Sequence, residues 1–233
     1  ENYHISHLGE QKISRKKGIM PGIGNFEAAY GLSEIFPEAI KKASLIANPG
    51  CYVTSILLTA LPLAKMTKWI VADAKSGYSG AGVKHYDEYS KKMPQDFLAY
   101  DPIAHRHQAE IQQFIDLPLF FTPHLLSFFR GIESTCHCFI LEEYREKNFF
   151  EIFQDFYKKN ENVIIQKKLP SVSQVQKTNT CILGGFEMDH QGRLVISSVL
   201  DNLRKGAASQ AIQNLTLLFP DLTSEETPLL SDK

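Results

Sequence analysis

Asn48-Pro49-Gly50-Cys51-Tyr52-Val53-Thr54 sets a cysteine directly behind a Pro-Gly turn and ahead of Ile56, Leu57, Ala60, Leu61 and Leu63, an apolar series at helical spacing. The short run Lys42 to Ala47 before it reads as a strand, so the stretch predicts strand, tight turn and a helix with Cys51 in its first turn. A helix start leaves backbone N–H groups unpaired and carries the positive end of the helix dipole, and both favour a thiolate over a thiol. The same N–H groups can hold the oxyanion formed when sulfur attacks a carbonyl. One expectation is therefore a nucleophilic Cys51 with a lowered pKa. The other is a buried cysteine used as a small apolar side chain.

Working outward, Ser33 to Ala43 reads as a short surface helix. Trp69 to Ala74 reads as a strand leading into Lys75-Ser76-Gly77-Tyr78-Ser79-Gly80-Ala81-Gly82, where three glycines and two serines suit either close backbone approach to a ligand or a flexible turn. Residues 83–104 are polar and aromatic without a strong period and read as an excursion over the surface. His105-Arg106-His107-Gln108-Ala109-Glu110-Ile111 opens a helical pattern that runs to Ile115. Two histidines and a glutamate within one turn suit acid–base work, half of a zinc site or a polar helix start. A third well-placed ligand for zinc is missing.

Phe120 to Ser127 and Ile132 to Leu141 read as two strands joined antiparallel around Phe128-Phe129-Arg130-Gly131. Phe149 to Lys158 reads as a helix. Cys181 to Phe186 and Leu194 to Val199 flank Asp189-His190-Gln191-Gly192 as a hairpin, and Lys205 to Phe219 has helical periodicity. Strands in the middle with helices around them define an α+β or mixed α/β class.

A formal net charge of -1 over 233 residues argues against a broad phosphate-binding surface, and so against nucleic acid as the partner. Apolar runs such as Ile56 to Ala64 are shorter than the roughly 20 residues that span a bilayer, and no secretory signal opens the chain. A cytoplasmic protein is expected. The four cysteines show no C-x-x-C pair or regular framework, which suits free thiols in a reducing compartment. Cys136-His137-Cys138 resembles part of a metal site, but strand alternation sets both cysteines on one face, as packing requires. The basic run Lys12, Arg15, Lys16, Lys17 reads as a solvated loop. Gly22-Ile23-Gly24 lacks the preceding strand and third glycine of a dinucleotide loop and reads as a connector.

Five blocks in order carry a resemblance: Asn48-Pro49-Gly50-Cys51-Tyr52; Lys75 to Gly82; His105 to Ile111; Phe121-Thr122-Pro123-His124-Leu125 with Arg130-Gly131-Ile132; and Asp201-Asn202-Leu203-Arg204-Lys205-Gly206-Ala207-Ala208. Together they resemble the N-acetyl-gamma-glutamyl-phosphate reductases, from about Tyr30 to Phe219. The resemblance implies an α+β fold, a glyceraldehyde-phosphate-dehydrogenase-like catalytic domain with a mixed or antiparallel sheet covered by helices, plus a remnant of a Rossmann-type α/β domain. On that reading residues 1–47 are a remnant or connector, 48–200 the catalytic and dimerisation domain, and 201–233 a helix returning to the nucleotide-binding domain, plus tail. Most of the Rossmann domain and its glycine loop are expected to be absent.

The activity implied is NADPH-dependent reduction of N-acetyl-glutamyl 5-phosphate to the semialdehyde, with phosphate release, through a Cys51 thioester in arginine biosynthesis. The resemblance assigns acid–base work to His105, with His107 competing or contacting substrate, and an orienting or substrate-contacting part to Glu110. It assigns substrate contacts to Asn48, Arg106 and Arg130, with either arginine serving equally as a loop buttress, and the nicotinamide end of NADP(H) to Ser79, Gly80 and Asn202. A homo-oligomer acting on a small acyl phosphate is implied. Two departures stand out: Val53 where the family usually has proline, and Ser209 where it usually has glycine. Two alternatives stay open: a cofactor-deficient fragment acting only in oligomerisation, and a weak cysteine-dependent acyl-phosphate hydrolase. A substrate longer by one methylene is not separated from the glutamyl compound.

Overall fold

A computed structural model describes residues 19–21, 27–82, 89 and 96–220. The basic run at Lys12 to Lys17, Gly22-Ile23-Gly24, most of the 83–96 stretch and the polar tail after Pro220 lie outside the described residues. The chain divides into two compact units, Glu1–Pro49 with Gln210–Lys233, and Gly50–Ser209. Residues 201–209 thus fall in the larger unit.

In the smaller unit, β1 (Ile19–Pro21) pairs antiparallel with β2 (Glu27–Tyr30), which pairs parallel with β3 (Ile46–Ala47). The surface helix expected over Ser33 to Ala43 is shorter, a single turn, α1 (Pro37–Ile40), with Glu38 exposed and Ile40 anchored in the core beside Leu32 and Phe36 of the preceding turns. Pro37 supplies its first position but fixes where it can begin, so the residues before it fold as turns. The terminal helix Ser209–Leu218 returns to this unit through amides. Gln210 Nε2 donates to Gly31 O and Ser33 Oγ, both at 2.9 Å, and Asn214 Nδ2 donates to Gly31 O at 2.9 Å.

The larger unit is built on a seven-stranded mixed sheet covered by helices. Its elements are α2 (Cys51–Ala60), β4 (Thr67–Gly77), β5 (Phe97–Ala99), α3 (Arg106–Gln112), β6 (Leu119–Leu126), β7 (Ile132–Ile140), α4 (Phe149–Tyr157), β8 (Val163–Gln166), β9 (Cys181–Met188) and β10 (Arg193–Leu200), in sheet order β5-β6-β4-β7-β10-β9-β8. β4 runs parallel to β6 and β9 to β8, and the other pairs are antiparallel.

The β9–β10 pair is the hairpin its turn residues predict. β6 and β7 run antiparallel, as their connection predicts, but are not paired: β4 lies between them, with Ala72 opposite both Phe121 and Cys136. β4 is a core strand whose backbone needs partners on both edges. The Phe128-to-Gly131 connection spans its end, where Gly77 N donates to Gly131 O at 2.9 Å and Gly131 takes φ 121°.

α2 packs against β7 and β10, and every residue from Tyr52 to Ala60 is buried, Val53 included. Cys136 and Cys138 share the buried face of β7. The polar groups of this layer satisfy one another, as burial requires. Ser55 Oγ donates to Ser134 Oγ at 2.6 Å and to Ser198 Oγ at 3.3 Å, and Tyr157 Oη donates to Leu58 O at 2.6 Å. The opposite face of the central strands is half-buried and charged, with Lys75 Nζ 3.3 Å from Asp73 and 3.5 Å from Glu133, and His124 Nδ1 3.1 Å from Asp73.

Candidate active site

Cys51 is the first residue of α2, and Gly50, with φ -65° and ψ 149°, caps it. The Gly50 N–H donates to Glu110 Oε1 at 3.0 Å, so a carboxylate from α3 holds the turn that delivers the cysteine. A Cβ on Gly50 would overlap the His107 ring, which explains glycine at this position. On the far side, Gly206 backs Cys51: a Cβ there would lie 2.8 Å from Cys51 Cβ. In the sequence Gly206 stands only as one residue of the Asp201-to-Ala208 block, and nothing local says what its missing side chain leaves room for.

The expected lowering of the Cys51 pKa is corrected by the structure. Burial pushes the thiol up to about 11, against the smaller opposing effects of the Tyr52 and Cys51 N–H groups and Arg106, while the Glu110 charge adds to the rise. The helix start does supply N–H groups to the sulfur. They are outweighed because Cys51, though partly exposed, heads a helix that is buried from Tyr52 onward, so a charged sulfur there loses much of its water.

His105 is the N-cap of α3, and its Nδ1 accepts the His107 N–H at 3.1 Å. A neutral ring in that bond carries its proton on Nε2. Taking a second proton breaks the cap, which opposes the charged form. Burial and Arg106 also lower the His105 pKa, and Asp101 opposes them. His107 is 6% exposed and is lowered to about 3, first by burial and then by His105 and Arg106. Tyr52 packs edge-on against both rings, at centroid distances of 6.0 and 5.9 Å, and Tyr100 packs on His105 at 5.4 Å.

A folded pKa near 3 against the usual 6.5 makes neutral His107 a source of stability above pH 6.5, lost as pH falls towards 3. Acidification should therefore lower the melting temperature of the native chain more than that of His107→Gln. Parallel curves would remove His107 as the source.

His105 and Arg106, with Gly80, Ala81, Tyr100 and Asp101, line a cavity of about 480 Å³. The glycine segment Lys75 to Gly82 is not one loop: Lys75, Ser76 and Gly77 finish β4, and Tyr78–Ala81 form a 3₁₀ turn. Asn202 braces that turn. Its Oδ1 accepts the Gly131 N–H at 2.6 Å and its Nδ2 donates to Ser79 Oγ at 2.9 Å. Arg130 pairs with buried Asp201 at 3.2 Å, the contact of a loop buttress. Asn48 belongs to the smaller unit, where its Oδ1 accepts from Asn214 at 3.1 Å. The structure thus gathers Cys51, His105, His107 and Glu110 around Gly50 and Tyr52, and gathers Ser79, Asn202 and Arg130 at the end of β4. Among the described residues no three His, Cys, Asp or Glu side chains form a metal site, and no helix is long and apolar enough to cross a membrane.

The mixed sheet and its covering helices have the fold of solved aspartate semialdehyde dehydrogenases. Aspartate semialdehyde dehydrogenase II of Vibrio cholerae superposes with TM-score 0.65 at 21% identity, over 83% of this chain and 69% of that one. A probable aspartate-semialdehyde dehydrogenase of Pseudomonas aeruginosa gives 0.68 at 16% identity, over 84% and 69%. Residues 51–202 match the family model for the semialdehyde dehydrogenase dimerisation domain, and the chain belongs to that family.

Its curated relatives are more specific. The N-acetyl-gamma-glutamyl-phosphate reductase of Methanococcus vannielii is 41% identical over 207 residues, 84% of this chain and 60% of that protein. The one from Caldicellulosiruptor bescii is 43% identical over 206 residues, 83% and 60%. The chain spans about three-fifths of the length of these relatives.

Proposed function

We propose that this chain carries the catalytic half of an N-acetyl-gamma-glutamyl-phosphate reductase, with Cys51 as nucleophile. The observation that carries the reading is the convergence of α2 and α3: Glu110 holds the Gly50 N–H, His107 seats against Gly50, and His105 and Arg106 of the same α3 segment line the cavity. The relatives' names supply the substrate, an N-acetyl-glutamyl phosphate.

Cys51 rests as a thiol, since its pKa lies near 11, and its proton must leave before the sulfur attacks. His105, held neutral by burial, is the base: its Nδ1 gives up the His107 N–H to take the proton, with His107 pushed too low to compete. Sulfur then bonds the acyl carbon, the carbon–oxygen bond to phosphate breaks, and the electron pair leaves with the phosphate. N–H groups at the start of α2 hold the oxyanion of this step, and Arg106 binds the phosphate or the substrate carboxylate.

The cavity suits the nicotinamide end of NADPH: its volume is within the ~300–1,000 Å³ of small-molecule sites, Gly80 presents backbone, and Asn202 fixes the Ser79 hydroxyl beside it. When bound, NADPH supplies the hydride that reduces the thioester. Asn202 and Arg130 act here through Ser79 and Asp201. The family description names dimerisation, and the half-exposed sheet face bearing Trp69 stacked on Phe139 at 5.0 Å is the surface a second copy would cover. Four free cysteines suit the cytoplasm.

One observation favours a second reading, an assembly unit without chemistry: the thiol raised to about 11. The test is the reverse reaction of the full chain, semialdehyde oxidation read as nicotinamide absorbance. Turnover that needs both NADP and inorganic phosphate is expected. Acyl-phosphate hydrolysis indifferent to NADPH would replace the reductase with a hydrolase, and an inert chain whose Cys51 resists alkylation would leave the assembly unit.

A further inference from the structure

Asp201 is fully buried and its carboxylate gathers donors from three segments. Oδ1 accepts the N–H groups of Leu203 at 2.9 Å and Arg204 at 3.3 Å, Oδ2 accepts the Lys177 N–H at 2.6 Å, and Arg130 Nε stands 3.2 Å from Oδ2. Its backbone carbonyl accepts the Gly206 N–H at 2.9 Å. A carboxylate this deep persists only because it is paired and hydrogen-bonded.

What these bonds hold is a wide turn. Residues Arg204–Ala208 form a π-helical segment, a conformation rare enough to need support from outside itself. At its centre Gly206 lies against Cys51, where an added Cβ would be 2.8 Å from Cys51 Cβ and 3.3 Å from Cys51 Cα. The backbone at Gly206 is therefore the wall behind the nucleophile, and a displaced wall displaces the sulfur.

We infer that Asp201 is a positioning residue for Cys51: with Arg130 as counter-ion it braces the 201–206 bend, and through Gly206 it fixes where the sulfur stands. The inference rests on the nucleophile reading of Cys51 and on nothing about the cofactor. It also gives Arg130 a task, since its guanidinium faces the protein's own carboxylate.

The test is Asp201→Asn in the full chain, which keeps the side-chain shape but halves the acceptors and removes the charge facing Arg130. Iodoacetamide alkylation of Cys51 is followed by peptide mass across pH, with kcat and KM where turnover is present. A misplacement near 1 Å can cost about 10²-fold, so the alkylation profile should shift and kcat fall about 10²-fold with KM within about threefold. A folded variant with a lower melting temperature but the native Cys51 profile would show a purely structural Asp201 and overturn the inference.

Should Asp201→Asn fail to fold, Arg130→Gln carries the same test, because every backbone bond to Asp201 survives it. A shifted Cys51 profile supports the inference and a native one overturns it. Alkylation needs neither nicotinamide nor acyl phosphate, so loss of the reductase reading leaves this result to be judged by itself.

Discussion

On the proposed function, Cys51→Ser is expected to abolish acyl-phosphate reduction while the chain still folds, a loss on the order of 10⁴-fold or more in kcat, as for removal of other nucleophiles. The fold is preserved because serine is nearly isosteric, and the contacts that seat this residue come from neighbours: Glu110 on the Gly50 N–H, and the Gly206 backbone behind the side chain. The chemistry is lost because a hydroxyl is far more basic than a thiol and sits in the surroundings that already raise the thiol to about 11. Turnover is measured with acyl phosphate and NADPH, beside a melting curve. Activity within tenfold of native in a folded Cys51→Ser chain would remove the covalent step.

His105→Asn lowers kcat by about 10²–10⁴-fold, the usual contribution of a general acid–base group. Asparagine is the informative replacement because it is itself a strong N-cap, able to accept the His107 N–H that His105 Nδ1 now takes at 3.1 Å. α3 and Glu110 therefore stay in place, and the measured loss belongs to proton transfer. His107→Gln should act chiefly on stability, since His107 packs against Gly50 and cannot take up a proton near neutral pH. A His105 pKa held below 6.5 also puts the acid limb of kcat/KM below that pH, and His105→Asn should erase it. If His107→Gln were the variant to lose the limb, the two histidines would exchange roles.

Much of this was legible along the chain. The Pro-Gly turn and the apolar series after Cys51 put the cysteine at the helix start where the structure has it. Asp189 to Gly192 marked the β9–β10 hairpin, and strand alternation put Cys136 and Cys138 on one buried face. Each rests on neighbours within a few residues, through helical or strand period, turn chemistry or a cap. The histidine block was legible for the same reason, because a cap and the turn behind it are local. What failed was long-range. The β6–β7 hairpin looked natural from its connection, yet β4, some forty residues earlier in the chain, needed a partner on each edge and took the place between them.

Sequence by itself determined the α+β class, the cysteine-led helix and the helix that the histidine block opens, because periodicity and turn preference act over a handful of bonds. Only the tertiary structure decided the state of the thiol, the occupation of Arg130 by Asp201, and the wall that Gly206 raises behind Cys51. Desolvation, ion pairing and close packing each sum over groups brought together from distant parts of the chain. Cys51 gains its charge-favouring N–H groups from its own turn and loses much of its water to groups as distant along the chain as Gly206.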